Sequence, residues 1–397
     1  MPGVCTPRAS RPPPSARGVP FTVIPGVTPH RARVHRVSRN PEQPCVREPP
    51  PARRPPDHPP PAGTVGTGTA TGTGTGPVPV SGSPMAANLT IALGSGAQLL
   101  AFYPPQPASA KIAVIVVPGG SYRPGPFGWC KQAEGSDIAQ WLASLGMVGL
   151  VLHYRLPAGR PHVPLADALK AVQALHEGPR WLLPEMAAVG VMGFSAGGHL
   201  AALAATRYTT SSNRPDFALL MYPVISMALE NHTHANSRRE YLGDAPSEAL
   251  VAAYSADRQV TRSSPPTFLI HARDDKIVSY RSSRLFYDAC AAQAVRATFV
   301  ELEAGGHPFV NKKFAWLPAR TASLAWLCST LKLHGSRGVR AAMLSGSVTC
   351  ADAEGCGGGL SGGADVCGDG SLRARLLNLP GVAAVSQTRH QRSARRH

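Results

Sequence analysis

Between residues 110 and 331, short apolar runs alternate with longer segments whose apolar residues recur at the helical period. Segments such as EGSDIAQWLASLG and VPLADALKAVQALHEG carry apolar residues three and four positions apart, which is typical of helices. The intervening runs have the length and apolar content of buried strands; they are KIAVIVV, MVGLVLHYRL, MAAVGVMGF, DFALLMYPV, TFLIHA and ATFVELE. Repeated strand–helix units predict an α/β fold, with a mostly parallel central sheet and helices on both faces.

The segments on either side of this region have a different composition. Residues 1–84 contain 21 of the 40 prolines and end in a Gly-Thr repeat, whereas residues 334–397 are rich in Gly and Arg. Neither segment carries enough apolar residues to offset the entropy of an ordered chain. We therefore expect a disordered tail at 1–84, one folded domain at 85–333 and a second disordered tail at 334–397.

The formal net charge of +17 suggests a nucleic-acid-binding protein, but its distribution argues against that class. The two predicted tails hold 18 of the 40 basic residues and only seven of the 23 acidic ones. A basic tail attracts acidic partners without specificity, and no basic patch interleaved with aromatic residues accompanies it. We expect no specific nucleic-acid partner.

Location is predicted from the apolar runs and the cysteines. No apolar run approaches the ~18–20 residues that span a bilayer, and the N-terminus lacks the apolar core of a secretory signal. The eight cysteines form no Cys-x-x-Cys pair, which favours a reduced intracellular protein. We expect a cytoplasmic protein without membrane contact, with targeting to an organelle by the Arg-rich N-terminus left open. The sequence does not give the oligomeric state.

A Gly-x-Ser-x-Gly sequence lies between the third predicted strand and the helix that follows it. It reads Gly193-Phe194-Ser195-Ala196-Gly197. Small residues on both sides of a serine permit the sharp strand-to-helix turn that exposes a nucleophilic hydroxyl above a sheet. Ser195 is therefore the candidate nucleophile.

A serine nucleophile needs a base and an acid that orients the base, and both follow in the expected order. His307 lies in a Gly-Gly-His turn after the strand ATFVELE, and Asp274 and Asp275 follow TFLIHA. The segment from His271 to Val278 resembles a hydrolase arrangement that reads His-Gly-x-x-Asp-x-x-Val-Pro. This resemblance selects Asp275 as the orienting acid and leaves Asp274 to shape the turn. His199, four residues after Ser195, is expected to be structural.

The oxyanion and substrate sites are predicted from two loops. Ala196, directly after the nucleophile, and the early loop Gly119–Gly120 are the candidate oxyanion donors. Aromatic residues near these loops are candidate pocket walls: Tyr122, Phe127, Trp129 and Phe309. The segment 226–262 interrupts the strand–helix alternation and is the expected place for a cap or a substrate loop.

Taken together, VVPGGSY, GVMGFSAGGHLAA, PPTFLIHARDDKIV and GGHPF resemble motifs of the α/β-hydrolase superfamily. More narrowly, the chain is similar to the acetylxylan esterase and feruloyl/acetyl esterase group, also called xylanase B-like or dienelactone-hydrolase-related. The resemblance covers about residues 110–330. The resemblance implies a serine esterase in which Ser195 attacks the ester carbonyl, His307 acts as the base and Asp275 orients His307. It also implies that Glu134 lies in a loop or pocket, without defining a role for it.

The resemblance implies a substrate that is a short-chain acyl ester, with acetyl esters of carbohydrates as one candidate group. It also implies an acyl-enzyme intermediate and neither a cofactor nor a metal. Two other hypotheses for the function stay open at this point. A prolyl-oligopeptidase-like serine peptidase or an amide hydrolase shares the same motifs, and a hydrolase fold also serves some proteins that bind ligands without catalysis.

Overall fold

The computed structural model describes residues 89–105, 111–124, 132–178, 186–230, 232–331, 373 and 376–388. Nine strands in these ranges form one sheet: β1 (Leu89–Ala92), β2 (Gln98–Phe102), β3 (Ile112–Val117), β4 (Val148–His153), β5 (Ala188–Phe194), β6 (Phe217–Met221), β7 (Thr267–Ala272), β8 (Ala297–Leu302) and β9 (Val382–Gln387). Their spatial order is β1-β2-β4-β3-β5-β6-β7-β8-β9. Neighbours from β4 to β8 are parallel, whereas β1, β2 and β9 join by antiparallel pairing.

Seven α-helices are bounded within the same described ranges: α1 (Ser136–Ser144), α2 (His162–Glu177), α3 (Ser195–Thr206), α4 (Ala235–Leu242), α5 (Glu248–Ala253), α6 (Arg281–Ala292) and α7 (Lys313–Leu331). Apolar side chains of α2, α3 and α6 pack on one face of the sheet. Those of α1 and α7 pack on the other face. The predicted α/β class, with a mostly parallel sheet covered on both faces, is confirmed.

The central strands are buried along their whole length because helices cover both of their faces. All residues of β3, β5, β6, β7 and β8 are buried. Helix α2 illustrates the sequence-to-structure link: its apolar positions face the sheet, and Gly178 follows its last residue. The carboxyl ends of the parallel strands meet at one edge of the sheet, which is where ligands bind in such folds.

Two expectations differ from the structure. The predicted folded domain ended at residue 333, but β9 adds Val382–Gln387 to the sheet by antiparallel pairing with β8. This strand is short and follows a Gly-rich segment, so its composition did not indicate a strand.

The cysteines also differ from expectation. Cys290 is buried and free, whereas Cys328 is disulfide-bonded, so the expectation of reduced cysteines is wrong at Cys328. No helix within the described residues has both the length and the apolar content to cross a membrane.

Candidate active site

Ser195 occupies a sharp turn between β5 and α3. Its φ of 54° lies in the left-handed region, which residues other than glycine adopt at a cost in free energy. A Cβ atom at Gly197 would lie 2.1 Å from the carbonyl oxygen of Val117, so only glycine lets α3 approach β3 this closely. The turn therefore places the Ser195 hydroxyl at the carboxyl end of β5, in the geometry of a nucleophile elbow.

A continuous chain of hydrogen bonds links Ser195, His307 and Asp275. The Ser195 Oγ lies 2.9 Å from His307 Nε2, and His307 Nδ1 lies 2.8 Å from Asp275 Oδ2. These residues follow three different strands, β5, β7 and β8, and meet at the same edge of the sheet. The structure thus brings the three predicted residues together, in the geometry that the predicted roles of nucleophile, base and orienting acid require.

Both carboxylate oxygens of Asp275 accept hydrogen bonds. Its Oδ1 accepts from the backbone N–H groups of Ile277 and Val278, at 2.8 and 2.9 Å. Its Oδ2 accepts from His271 as well as from His307, with a distance of 3.1 Å to His271 Nε2. Burial alone raises the pKa of Asp275, but the bonds to His271 and His307 outweigh it and hold that pKa well below its usual value. The carboxylate therefore stays ionised and fixed behind the histidine.

Two neighbouring residues support this arrangement. Asp274 accepts hydrogen bonds from the backbone N–H groups of Gly305 and Gly306, at 2.8 and 2.7 Å, and so holds the loop that carries His307. His271 also places its Nδ1 2.8 Å from Ser283 Oγ. Because His271 Nε2 faces two acceptors, the Asp275 carboxylate and the Val278 carbonyl, it carries the ring proton in the neutral form. Sequence reasoning used His271 only to measure spacing.

The candidate oxyanion donors differ from one another in availability. Ala196 is at the start of α3, where backbone N–H groups have no partner within the helix. Gly119, in contrast, donates its N–H to Glu134 Oε2 at 2.9 Å. The prediction that its N–H is free to bind the oxyanion is therefore wrong. Gly120 adopts a φ of 123°, and its carbonyl accepts from the Arg123 N–H to close the turn. Ala196 and Gly120 are therefore the remaining candidates.

The predicted pocket walls do not all lie where substrate would bind. Tyr122 is 2% exposed, and its hydroxyl contacts the Ala196 carbonyl and His199 Nδ1. Phe309 is fully buried against the Tyr222 ring. Both pack behind the site, so their positions do not support direct contact with substrate. Phe127 and Trp129 lie outside the described residues, and their prediction stays untested.

The segment 226–262 packs next to the early loop, where Tyr241 contacts the Tyr122 ring; its role as a cap or substrate loop stays a prediction. Within it, His234 precedes α4 and accepts a hydrogen bond from the Ser237 N–H. Burial, and to a lesser extent the charge that His307 can carry, lowers the pKa of His234. An ion pair of 3.0 Å between Arg123 and Glu240 joins the early loop to α4. Among the described residues, no cluster of three His, Cys, Asp or Glu side chains has the arrangement of a metal site.

His199 is not part of the catalytic chain. Its Nδ1 lies 2.7 Å from the Tyr122 hydroxyl, and its Nε2 lies 2.8 Å from the Tyr254 carbonyl. Both ring nitrogens are therefore occupied away from the Ser195 hydroxyl. This is the structural position that the sequence predicted for His199.

Comparison with known proteins finds that the chain is similar to an esterase and to a xylanase. Residues 100–290 match the family model BD-FAE. The chain is 31% identical over 217 residues to an acetylxylan esterase of Xylanibacter ruminicola, covering 54% of this chain and 44% of that protein. It is 30% identical over 190 residues to an endo-1,4-beta-xylanase B of Butyrivibrio fibrisolvens, covering 44% of this chain and 29% of that protein. The chain thus spans less than half the length of these curated relatives.

A solved structure covers the described fold more completely. The acetyl ester-xyloside bifunctional hydrolase of Caldicellulosiruptor lactoaceticus is 29% identical, with a TM-score of 0.53, over 59% of this chain and 88% of that one. The chain therefore has an α/β-hydrolase fold and is similar to serine esterases. The resemblance to acetylxylan and acetyl esterases that the sequence motifs indicate is confirmed.

The sequence analysis did not identify Tyr222, although this residue follows β6 at the same edge of the sheet as the triad.

Proposed function

We propose that this α/β-hydrolase cleaves short-chain acyl esters, acetyl esters first among them, through an acyl-enzyme intermediate on Ser195. The observation that carries the proposal is the chain of hydrogen bonds from Ser195 through His307 to Asp275, with both distances below 3.0 Å. The names of the similar proteins, acetylxylan esterase and acetyl ester-xyloside hydrolase, support an acetylated carbohydrate as the substrate class.

Each step of the reaction uses groups that lie in contact. Ser195 Oγ attacks the ester carbonyl carbon while His307 Nε2 takes its proton, and Asp275 stabilises the imidazolium that forms. The N–H groups of Ala196 and Gly120 stabilise the negative charge on the former carbonyl oxygen. The bond to the alcohol oxygen breaks, and His307 returns the proton to the departing alcohol. Water then attacks the acyl-Ser195 ester by the same proton transfers, releasing the acid and regenerating Ser195.

The catalytic domain comprises about residues 89–331 together with β9, and a small-molecule ester is its partner. The peptidase and binding-protein readings gain no support from the similar proteins named above, which are hydrolases of esters or of xylan.

The test is pre-steady-state hydrolysis of a chromogenic acetyl ester by the full chain, beside Ser195→Ala and the matched control His199→Gln. We expect a burst of chromophore equal to the enzyme concentration, lost in Ser195→Ala and retained in His199→Gln. An equal slow release by all three proteins would refute the esterase mechanism. Acetyl release from acetylated xylo-oligosaccharides, measured with the same variants, then tests the carbohydrate part of the proposal.

A further inference from the structure

Glu134 is a buried carboxylate that the triad does not use. It ends a single turn of 3-10 helix, Gln132–Glu134, just before α1, and is 1% exposed. A carboxylate in the interior costs free energy unless hydrogen bonds replace its lost water. Glu134 has two such bonds: its Oε2 accepts from the Gly119 N–H at 2.9 Å, and its Oε1 accepts from the Tyr222 hydroxyl at 3.1 Å.

The first bond holds one end of a peptide group whose other end is also fixed. The carbonyl of Pro118 accepts from the Tyr154 hydroxyl at 2.9 Å. This carbonyl and the Gly119 N–H belong to the same planar peptide unit, so Tyr154 and Glu134 together set its orientation. Gly119 lies against the nucleophile, because a Cβ atom there would be 2.9 Å from Ser195 Cβ. The next N–H along the chain is the candidate oxyanion donor of Gly120.

The second bond reaches the catalytic base through an aromatic ring. Tyr222 packs edge-on against the His307 ring, with 4.9 Å between ring centroids, and Phe309 packs against Tyr222 at 4.6 Å. Burial and then the nearby Glu134 carboxylate raise the pKa of Tyr222 well above its ordinary value, so its hydroxyl remains a donor. Glu134 therefore contacts a support of the base as well as the oxyanion loop.

We propose that Glu134 is a positioning residue that aligns the Gly120 N–H with the reacting carbonyl and holds Tyr222 against His307. The proposal rests on the function proposed above. It follows from one side chain that joins two parts of the site: Glu134 bonds to Gly119, 15 residues before it, and to Tyr222, 88 residues after it. The hydrogen bonds of Glu134 go to Gly119 and Tyr222 and not to Ser195 or His307, so it acts through its neighbours.

Two substitutions of similar size separate the hydrogen bonds from the volume of the side chain. Glu134→Met fills the space but accepts no bond, whereas Glu134→Gln keeps one acceptor for the Gly119 N–H. We expect kcat for a chromogenic acetyl ester to fall about 10- to 100-fold in Glu134→Met, because losing a whole oxyanion donor costs ~10²–10³. Glu134→Gln should recover most of that loss. KM should change little in both, since the donor acts mainly in the transition state.

Glu301→Gln is the matched control. Glu301 is a buried carboxylate on β8 that pairs with Arg273 and Arg284, outside the catalytic site. Its substitution should lower the thermal midpoint without lowering kcat. Unchanged kcat in Glu134→Met would overturn the proposal, as would an equal loss in Glu134→Gln and Glu134→Met.

Tyr154→Phe provides a second route if Glu134→Met does not fold. It frees the other end of the same peptide, so kcat should fall here too. Unchanged kcat in Tyr154→Phe would overturn the proposed alignment of the Gly120 N–H.

A fluorophosphonate that labels Ser195 distinguishes failure of this proposal from failure of the proposed function. Labelling requires the nucleophile and the oxyanion donors but no ester turnover. If the unmodified chain is labelled and does not hydrolyse esters, the proposed function fails. Slower labelling of Glu134→Met than of the unmodified chain would still support the positioning role, and equal labelling rates would refute it.

Discussion

His199 is a buried histidine whose protonation should weaken the fold in acid. It belongs to α3, has no exposed surface, and hydrogen-bonds to the Tyr122 hydroxyl and the Tyr254 carbonyl. Burial lowers its pKa from 6.5 to about 4, although the bond to the Tyr254 carbonyl opposes the shift. The native state thus holds a neutral imidazole at a pH where the unfolded chain would carry a charged one.

The sign of the effect follows from proton binding. Between pH 6.5 and pH 4 the unfolded chain binds a proton at His199 and the native state does not, so the free energy of unfolding falls as the pH falls. The full contribution is present above pH 6.5 and is lost progressively towards pH 4. At ~1.4 kcal/mol per pKa unit, the shift corresponds to a loss of about 3 kcal/mol over this range.

His199→Gln tests the magnitude, because a glutamine amide can accept from Tyr122 and donate to Tyr254 but does not titrate. Urea unfolding of both proteins between pH 7 and pH 4 gives the comparison. Burial also lowers the pKa of His153 to about 4, but His153 is present in both proteins and cancels in the difference. We expect the unmodified chain to lose about 3 kcal/mol more than His199→Gln. Parallel losses would refute the assignment of a neutral, buried His199.

Three further predictions concern the catalytic site and the edge of the sheet. Asp275→Asn should lower kcat by ~10³–10⁴ by favouring the wrong His307 tautomer, as stopped-flow hydrolysis would measure. Gly197→Ala should abolish the soluble fold, visible as loss of a cooperative melt, because its Cβ would lie 2.1 Å from the Val117 carbonyl. A chain ending at residue 380 lacks β9; its thermal midpoint should fall and its light scattering rise on heating, since β8 becomes an open edge.

The strands and helices around the triad could be predicted because local sequence determines them. The buried runs have the length of strands, the helices show the 3.6-residue period, and glycines occur where α3 must approach β3. Ser195, Asp275 and His307 each follow such a strand, so a parallel sheet brings them to one edge. Order along the chain and position at strand ends were sufficient to predict their meeting.

Contacts between distant segments could not be predicted in the same way. Glu134 has its partners at Gly119 and Tyr222, and nothing in its local sequence indicates that its carboxylate is buried. Tyr122 was expected in the pocket because it is aromatic and near the oxyanion loop, yet the left-handed turn at Ser121 and Tyr122 directs its ring into the core. Strand β9 forms by pairing with β8, a non-local interaction that a short apolar segment does not reveal.

The conformation of the nucleophile is supported by the core of the protein and not by the active-site loops alone. A left-handed φ at Ser195 costs about 1–3 kcal/mol, and a flexible turn would relax to avoid that cost. Here it cannot relax, because all twelve residues of α3 are buried and Gly197 lies against the carbonyls of Val117 and Pro118. The same packing that stabilises the sheet therefore holds the hydroxyl ready for attack, and substitutions that push the first turn of α3 away from β3 should lower stability and activity together.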